Sequence, residues 1–191
     1  MVLAVAALLA LALLRPAGRS GTGPSTGQAA IGGPFRMVDQ DGRPVDQGVL
    51  RGKWNAVFFG YVSCPDTCPA TLQTLAAAQD RLGARGNALR TVFVTVDPER
   101  DTPAQMKVYL SQPDFPRGSL GLTGTPAQVA EIAKQYRVYY QKVPHPGGGY
   151  DMDHSAAIYL MDPQGRFVMP LQESLGPQAI ADQIGKAMAA G

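Results

Sequence analysis

The stretch AVFFGYVSCPDTCPATLQTLAAAQDRL, residues 56–82, decides the fold. It begins with an apolar run that alternates poorly, which is typical of a strand buried on both faces of a sheet. A helix follows, since Pro69 suits a first helical position and Gly83 can end the helix. The apolar face of that helix consists of Leu72, Leu75, Ala76 and Leu82. Between the strand and the helix lie the only two cysteines of the chain, Cys64 and Cys68.

Strand and helix patterns alternate along the rest of the chain. Asp41 and Gly42 form a turn dipeptide between two short strands, which predicts an N-terminal β-hairpin. The other predicted strands cover residues 91–96, 138–143, 156–161 and 167–171. The other predicted helices cover residues 103–110, a segment opened by the capping box Thr125-Pro126-Ala127-Gln128, and a segment from about residue 177. Because a dithiol separates a buried strand from the next helix, we expect an α/β, thioredoxin-like three-layer fold with a central mixed β-sheet.

Length and charge exclude several classes of function. The chain has 191 residues, which is enough for one ordinary domain. Its formal net charge is +2 at pH 7, and Lys and Arg form no block or stripe, so nucleic-acid binding has no electrostatic footprint. Two cysteines are too few for a small secreted fold held together by disulfides.

The N-terminus predicts a targeting segment. Residues 2–14 are an unbroken run of 13 aliphatic residues. That run is shorter than the roughly 20 residues that span a hydrocarbon core, but it suits the apolar part of a signal peptide. We interpret residues 1–15 as a signal that can stay in place as a membrane anchor. Residues 16–33 are rich in Gly, Ser, Thr and Pro and predict a flexible linker, which leaves residues 34–191 as the globular domain.

The cysteine pair can close into a disulfide, exchange electrons with another dithiol or bind a soft metal ion. Pro65 and Pro69 each disfavour a helical conformation at the preceding cysteine, which predicts a loop that enters the helix. Cys68 then falls near the N-cap, where free backbone N–H groups and the helix dipole stabilise a thiolate. Three residues separate the cysteines, one more than in thioredoxin-type exchange motifs, and this longer loop can also hold Cu(I) or zinc.

A third ligand is available from the two histidines of the chain. His154 precedes the strand at residues 156–161, in the part of the chain where a thioredoxin fold brings a loop against the dithiol. Asp153 can orient His154 by accepting its other ring N–H, or it can merely cap the loop. His145 lies in a segment rich in Pro and Gly. Together with the cysteines, both histidines would make a four-ligand zinc site, which is the alternative metal assignment.

Three blocks of the chain resemble the signatures of the Sco/SenC family: GYVSCPDTCP at residues 60–69, VDPERDT at 96–102 and DHS at 153–155. The resemblance extends over about residues 34 to 190. It implies a thioredoxin-like domain that is anchored in a membrane and faces the bacterial periplasm or the mitochondrial intermembrane space. Family members bind copper through two cysteines and a histidine, which match Cys64, Cys68 and His154 here. They help to assemble the dinuclear copper site of cytochrome c oxidase.

The resemblance also implies a cargo and partners. We expect a copper metallochaperone in the bacterial periplasm, with a copper ion as Cu(I) and in a second state as Cu(II). Its expected partners are the copper-receiving subunit of cytochrome c oxidase, other periplasmic copper carriers and thiol reductants. Asp97 is expected to support the metal ligands from behind or to contact a docking partner. The alternative interpretation is that Asp97 only forms an Asp-Pro turn. Arg100 and Asp101 are interpreted as a solvated pair or as a helix cap, and Met152 as a packing residue.

Two other functions use the same cysteines. In a thiol–disulfide oxidoreductase, Cys64 and Cys68 would be the catalytic pair that cycles between dithiol and disulfide. A peroxiredoxin would need a threonine three positions before its cysteine, and the residues there are Tyr61 and Pro65. The oxidoreductase therefore stays open as the alternative to the metallochaperone.

Overall fold

The computed structural model of the chain describes residues 31–191. Its strands are β1 (Arg36–Asp39), β2 (Pro44–Asp46), β3 (Trp54–Gly60), β4 (Leu89–Thr95), β5 (Leu120–Thr123), β6 (Tyr140–Pro144), β7 (Tyr150–His154), β8 (Ile158–Met161) and β9 (Phe167–Leu171). Its α-helices are α1 (Thr67–Arg81), α2 (Pro103–Leu110), α3 (Pro126–Tyr136) and α4 (Gly176–Ala190). Short 3₁₀ helices cover Gln47–Leu50, Gly83–Ala88 and Glu173–Leu175.

Seven of these strands form one mixed sheet in the order β2-β1-β5-β4-β3-β8-β9. Strands β3, β4 and β5 run parallel, since a helix connects each to the next, and the other pairings are antiparallel. In the β1–β2 hairpin, Asp39 Oδ1 accepts the backbone N–H groups of Asp41 and Arg43 at 2.9 and 2.8 Å. Gly42 supplies the positive φ of 81° that this turn requires. The expected thioredoxin-like α/β fold with its N-terminal hairpin and mixed sheet is confirmed.

Helices cover both faces of the sheet. All seven residues of β3 are buried, and neighbouring residues of a strand face opposite sides. On one side Phe58 packs on Phe93, which packs on Tyr109 of α2, with ring centroids 5.9 and 5.7 Å apart. On the other side Phe59 packs on Tyr136 of α3 at 5.3 Å. The core therefore lies on both sides of the sheet, as three layers require.

Strand β5 has no counterpart among the strands predicted from sequence. It is four residues long and contains Gly121, and glycine ordinarily weakens a strand. A Cβ at Gly121 would come within 2.8 Å of Leu110 Cδ1 and 2.9 Å of Met106 Cε, both in α2. The close packing of α2 on the sheet therefore requires glycine at position 121. The same glycine is the reason why the sequence pattern did not indicate a strand here.

The strand predicted at residues 138–143 lies outside the central sheet. It corresponds to β6, which pairs with β7 in a separate two-stranded sheet. Strand β7 was not predicted, because its sequence YDMDH carries three polar residues. Its Asp151 and Asp153 are exposed while Met152 between them is buried, which is the alternation of a strand with one face on the core.

The predicted signal segment, residues 1–15, and most of the predicted linker, residues 16–33, lie outside the described residues. The N–H of Gly32 donates to the carbonyl of Gln135 at 2.9 Å, so the chain already contacts the domain before the predicted boundary at residue 34. Between residues 31 and 191, none of the helices has the length and apolar character needed to cross a membrane.

Candidate metal centre

The two cysteines lie where β3 ends and α1 begins. After β3 the chain turns through a bond from the N–H of Cys64 to the carbonyl of Tyr61, 3.2 Å long. Helix α1 begins at Thr67 and not at Pro69 as predicted. The first turn of a helix needs no intrahelical N–H partners, so it tolerates a proline at its third position. Cys68 therefore lies inside the first helical turn.

The sulfur of Cys64 accepts a hydrogen bond from this first turn. The N-cap residue, Asp66, makes no side-chain bond to the helix. Instead the backbone N–H of Cys68 donates to Cys64 Sγ over 3.3 Å. A backbone donor and the positive end of the helix dipole thus face the sulfur, which suits the negative charge of a metal held by two thiolates.

Cys68 has no exposed surface. Its sulfur lies over β3, where a Cβ at Gly60 would come within 2.9 Å of both Cys68 Sγ and Phe93 Cε2. Burial raises the pKa of the Cys68 thiol, although a hydrogen bond with the backbone of Tyr61 acts in the opposite direction. Burial thus opposes the helix-stabilised thiolate predicted at Cys68. The effect of desolvation on this pKa is larger than the stabilisation of the thiolate by the N-terminus of the helix. A metal ion that binds Cys68 must therefore displace the thiol proton.

His154 ends β7, and its ring approaches Cys68. The distance from His154 Nε2 to Cys68 Sγ is 3.8 Å. The other ring nitrogen, Nδ1, lies 3.1 Å from the carbonyl oxygen of Ser155. Because that oxygen only accepts, Nδ1 carries the proton and Nε2 presents its lone pair. A metal with bonds of about 2.3 Å to sulfur and about 2.0 Å to nitrogen, at roughly 120°, would hold the two atoms about 3.7 Å apart.

Asp153 does not orient the ring of His154. The ring N–H faces the carbonyl of Ser155 instead. Asp153 is exposed, because neighbouring residues of a strand face opposite sides and His154 faces inward. The expectation that its carboxylate accepts the ring N–H is wrong, and Asp153 lies on the surface beside the centre.

His145 lies at the other end of the β6–β7 hairpin. It is exposed, with Nε2 2.9 Å from Asp151 Oδ2. His154 pairs with Tyr140 at the base of the ladder, while His145 follows Pro144 at the tip. Five strand positions at about 3.3 Å each separate the two ends by roughly 17 Å. The structure does not assemble the four-ligand zinc site.

An open cleft of 480 Å³ leads to the centre. Its lining includes Cys64, His154, Asp151 and Asp153. Cys64 is half-buried, so its thiol is accessible from this side. Among the described residues, no group of three or more His, Cys, Asp and Glu side chains is already arranged to hold a metal ion. Cys68 and His154 are a preformed pair, and Cys64 would complete a set of three by movement of its loop.

Asp97 lies behind the centre, just after β4, and is fully buried. Its Oδ1 accepts the O–H of Tyr150 at 2.9 Å, and its Oδ2 accepts the Nε–H of Arg100. Because Asp97 has no exposed surface, its position favours a role behind the ligands over a direct docking contact. It connects the loop after β4 to β7, the strand that carries His154.

Arg100 and Tyr150 have roles that the sequence interpretation missed. Arg100 was expected to form a solvated pair with Asp101 or a helix cap. It instead donates from Nη1 to the carbonyl of Tyr150 at 3.0 Å, and its Cζ lies 3.9 Å from the centre of the Tyr150 ring. A contact between residues 50 positions apart leaves no local signal. The alternation of β7, which puts Tyr150 on the same face as His154, is the pattern that indicates it.

Asp101 supports the loop that carries the cysteines. Its Oδ2 accepts the N–H of Val62 at 3.0 Å and the O–H of Thr95 at 2.6 Å. Burial raises the pKa of this carboxyl group to about 6. The side chain therefore ties the start of the loop to the end of β4.

The chain is similar in sequence to known proteins. The family model SCO1/SenC matches residues 23–189. Protein SCO1 homolog 1, mitochondrial, of Arabidopsis thaliana is 45% identical over 76% of this chain and 43% of its own length. Protein SCO1, mitochondrial, of Saccharomyces cerevisiae is 41% identical over 83% of this chain and 54% of its own length. The chain thus spans about half the length of these curated relatives.

Solved structures share the fold. The structure of Bradyrhizobium japonicum ScoI with copper bound is 45% identical, with a TM-score of 0.74 over 82% of this chain and 99% of that chain. The structure of yeast Sco1 with copper bound is 39% identical, with a TM-score of 0.78 over 85% of this chain and 91% of that chain. Both of these similar proteins hold copper.

Proposed function

The chain belongs to the SCO1/SenC family, and on that basis we propose that it is a copper metallochaperone whose ligands are Cys64, Cys68 and His154. The observation that carries the proposal is the 3.8 Å between Cys68 Sγ and His154 Nε2, with the other ring nitrogen already bonded. The copper held by the similar ScoI and Sco1 structures supports it. From the family resemblance, we propose the dinuclear copper site of cytochrome c oxidase as the destination of the ion.

The donor set suits copper. Soft sulfur ligands select Cu(I) over hard ions, and imidazole suits both oxidation states. Two thiolates on Cu(I) leave a net charge of −1, which the N-terminus of α1 favours. Cys68 and His154 are positioned in advance, and Cys64 would close on the ion from its loop.

Transfer of the ion would proceed by exchange of ligands through the cleft. Cys64 and His154 line the cleft, while Cys68 is buried beneath it. A thiol of the copper-receiving oxidase subunit would therefore replace Cys64 or His154 first, while Cys68 keeps the ion. Other periplasmic copper carriers would load the centre through the same opening. Thiol reductants would keep the cysteines reduced, because a disulfide has no thiolate to offer.

We place the domain in the bacterial periplasm, tethered to the inner membrane by residues 1–15 and the linker after them. The aliphatic run at residues 2–14 supports this placement. Fractionation of cells that express the chain with and without residues 2–14 tests it. Loss of membrane association in the shortened chain is the expected result, and unchanged association contradicts the tether.

An anaerobic competition titration with Cu(I) tests the metallochaperone. We expect one ion per chain, and we expect His154→Ala to weaken binding by about tenfold or more. Cys64→Ser and Cys68→Ser should weaken it further, because soft donors are lost. His145→Ala is the matched control, since His145 is exposed and bonded to Asp151, and it should bind as the unmodified chain does. Undiminished affinity in His154→Ala would end the proposal.

A thiol–disulfide oxidoreductase is the second candidate, because both cysteines are free thiols and Cys64 is accessible. Cys64 would attack a disulfide of the substrate, and Cys68 would then displace the substrate thiol and close a Cys64–Cys68 disulfide. His154→Ala separates the two functions. A reductase keeps its rate of dithiol exchange in this variant, whereas a metallochaperone loses affinity for copper.

A further inference from the structure

The strand that carries His154 lies outside the main sheet. Strands β6 and β7 form a two-stranded sheet of their own, and such a hairpin is marginally stable by itself. Its position against the domain therefore depends on side chains. Residues two apart along a strand share a face, so Tyr150, Met152 and His154 all point inward.

Met152 anchors the middle of β7. It is 6% exposed and belongs to the hydrophobic core. A contact at the centre of a short strand leaves rotation about that point open, so the ends need contacts of their own. At one end the His154 ring packs edge-on against Tyr61, with 5.9 Å between the ring centres. His154 occupies one end of β7, and Tyr150 occupies the other.

Tyr150 is held by a closed set of three residues, which we call the clasp: Asp97, Arg100 and Tyr150. The O–H of Tyr150 donates to Asp97, the carbonyl of Tyr150 accepts from Arg100, and Arg100 donates to Asp97. The Arg100 guanidinium also stacks on the Tyr150 ring. A guanidinium can donate hydrogen bonds to a carboxylate and to a carbonyl at the same time, because its N–H groups point in fixed directions. The ammonium group of a lysine lacks this geometry.

The hydrogen bonding of the clasp is incomplete. Arg100 Nη2 is buried without a hydrogen-bond partner among the described residues. A buried donor without a partner costs free energy, so such a network opens more readily than a saturated one. The Arg100 side chain is also 32% exposed, which gives a competing group access to it.

We propose that the clasp positions His154 and thereby sets how long copper stays bound. It fixes the far end of β7, four strand positions or about 13 Å from His154. Opening of the clasp releases the hairpin, withdraws the imidazole from Cys68 and leaves the ion on two sulfurs, ready for a receiving thiol. Arg100 and Tyr150 are positioning residues that act through His154. The inference rests on the proposed function.

Tyr150→Phe is the test variant, because it removes the O–H that bonds to Asp97 and keeps the ring that stacks on Arg100. Tyr139→Phe is the matched control, since Tyr139 is exposed directly before β6 and its O–H bonds to Gln141. The first readout is amide hydrogen exchange of the chain without added copper. We expect faster exchange over residues 150–154 in Tyr150→Phe, with unchanged exchange in α1, and no change in the control.

The second readout is the rate at which a Cu(I) chelator removes the ion from the loaded chain. We expect about a tenfold faster release from Tyr150→Phe, as is typical when a group that orients a histidine ligand is lost. Arg100→Lys should show the same effect, because it keeps the charge beside Asp97 and loses the fixed directions of the guanidinium N–H groups. A release rate and hydrogen exchange that both match the unmodified chain would overturn the inference.

A cycle with His154→Ala separates the clasp from the proposed function. If the clasp acts through His154, adding Tyr150→Phe to His154→Ala leaves the release rate of the single variant unchanged. If Tyr150→Phe accelerates copper release equally in the unmodified chain and in His154→Ala, the substitution loosens the domain in general and does not act through His154. That result contradicts the proposed role of the clasp. A His154→Ala chain that releases copper at the unmodified rate contradicts the proposed function instead, and hydrogen exchange over residues 150–154 then still tests the clasp.

Discussion

His154 Nε2 lies 3.8 Å from Cys68 Sγ although 86 positions of the chain separate the two residues. The two partners are held very differently. Cys68 is buried in the first turn of α1 over β3, whereas His154 lies on a hairpin outside the main sheet. The sulfur is therefore the fixed partner and the imidazole the movable one, which is the asymmetry that a carrier of a transferable ion needs.

Gly60→Ala should displace the fixed sulfur. The added Cβ would lie 2.9 Å from Cys68 Sγ and from Phe93 Cε2, closer than ordinary contacts allow. We expect a loss of about 1–3 kcal/mol in the free energy of unfolding, as for other overpacked cores. Because the sulfur must move, affinity for Cu(I) should fall as well. Urea denaturation and Cu(I) titration measure the two effects.

Gly147→Ala is the control for that substitution. Gly147 has open space around its Cβ position and lies at the tip of the β6–β7 hairpin, so neither stability nor copper binding should change. Equal behaviour of the two variants would show that the close approach at Gly60 has no consequence.

The two thiols should react at very different rates with iodoacetamide. Cys64 is half-buried, whereas Cys68 is fully buried and burial raises the pKa of its thiol. Since the thiolate is the reacting form, we expect alkylation of Cys68 to be at least about tenfold slower at pH 8. Mass spectrometry of Cys64→Ser and Cys68→Ser, each with one remaining thiol, measures the two rates. Comparable rates would mean that Cys68 is open to solvent.

We expect the free energy of unfolding to depend on pH through the titration of Asp101. Its pKa is raised by burial from the ordinary 3.8 to about 6 in the folded state. The folded state therefore binds the proton more tightly, and the free energy of unfolding falls as the pH rises from about 4 to about 6. The loss is fully present above that range and amounts to at most about 3 kcal/mol.

Asp101→Asn should remove this pH dependence, because its amide oxygen can still accept from Val62 and Thr95 without carrying a charge. Urea denaturation at several pH values between 4 and 7 checks the result. Asp114→Asn, at an exposed position, should leave the pH profile unchanged. A profile that stays the same in Asp101→Asn would assign the pH dependence to other groups.

Local sequence patterns predict much of the fold. The poorly alternating apolar run became β3, buried on both faces, and the capping box Thr125-Pro126-Ala127-Gln128 opens α3 as predicted. Both signals depend on residues within a few positions of each other. Pro69 was a weaker signal, since a proline fits at several positions of a first turn, and the helix start was misplaced as a result.

What the sequence did not show depends on where distant segments meet. The residues of the clasp are up to 53 positions apart, and their contact follows from where the β6–β7 hairpin packs. The partner of His154 Nδ1 is a different case: it is the carbonyl of the adjacent Ser155 and not Asp153, so the missed choice was between two immediate neighbours. The burial that raises the pKa of Cys68 comes from packing on β3, which the motif alone does not encode.

X-ray absorption at the copper edge tests the central claim most directly. The chain is loaded anaerobically with one equivalent of Cu(I), and the ligand atoms around the ion are counted in the unmodified chain and in His154→Ala. We predict two sulfurs and one nitrogen in the former, and loss of the nitrogen in the latter. A first shell without sulfur, or a nitrogen that persists undiminished in His154→Ala, would contradict the account.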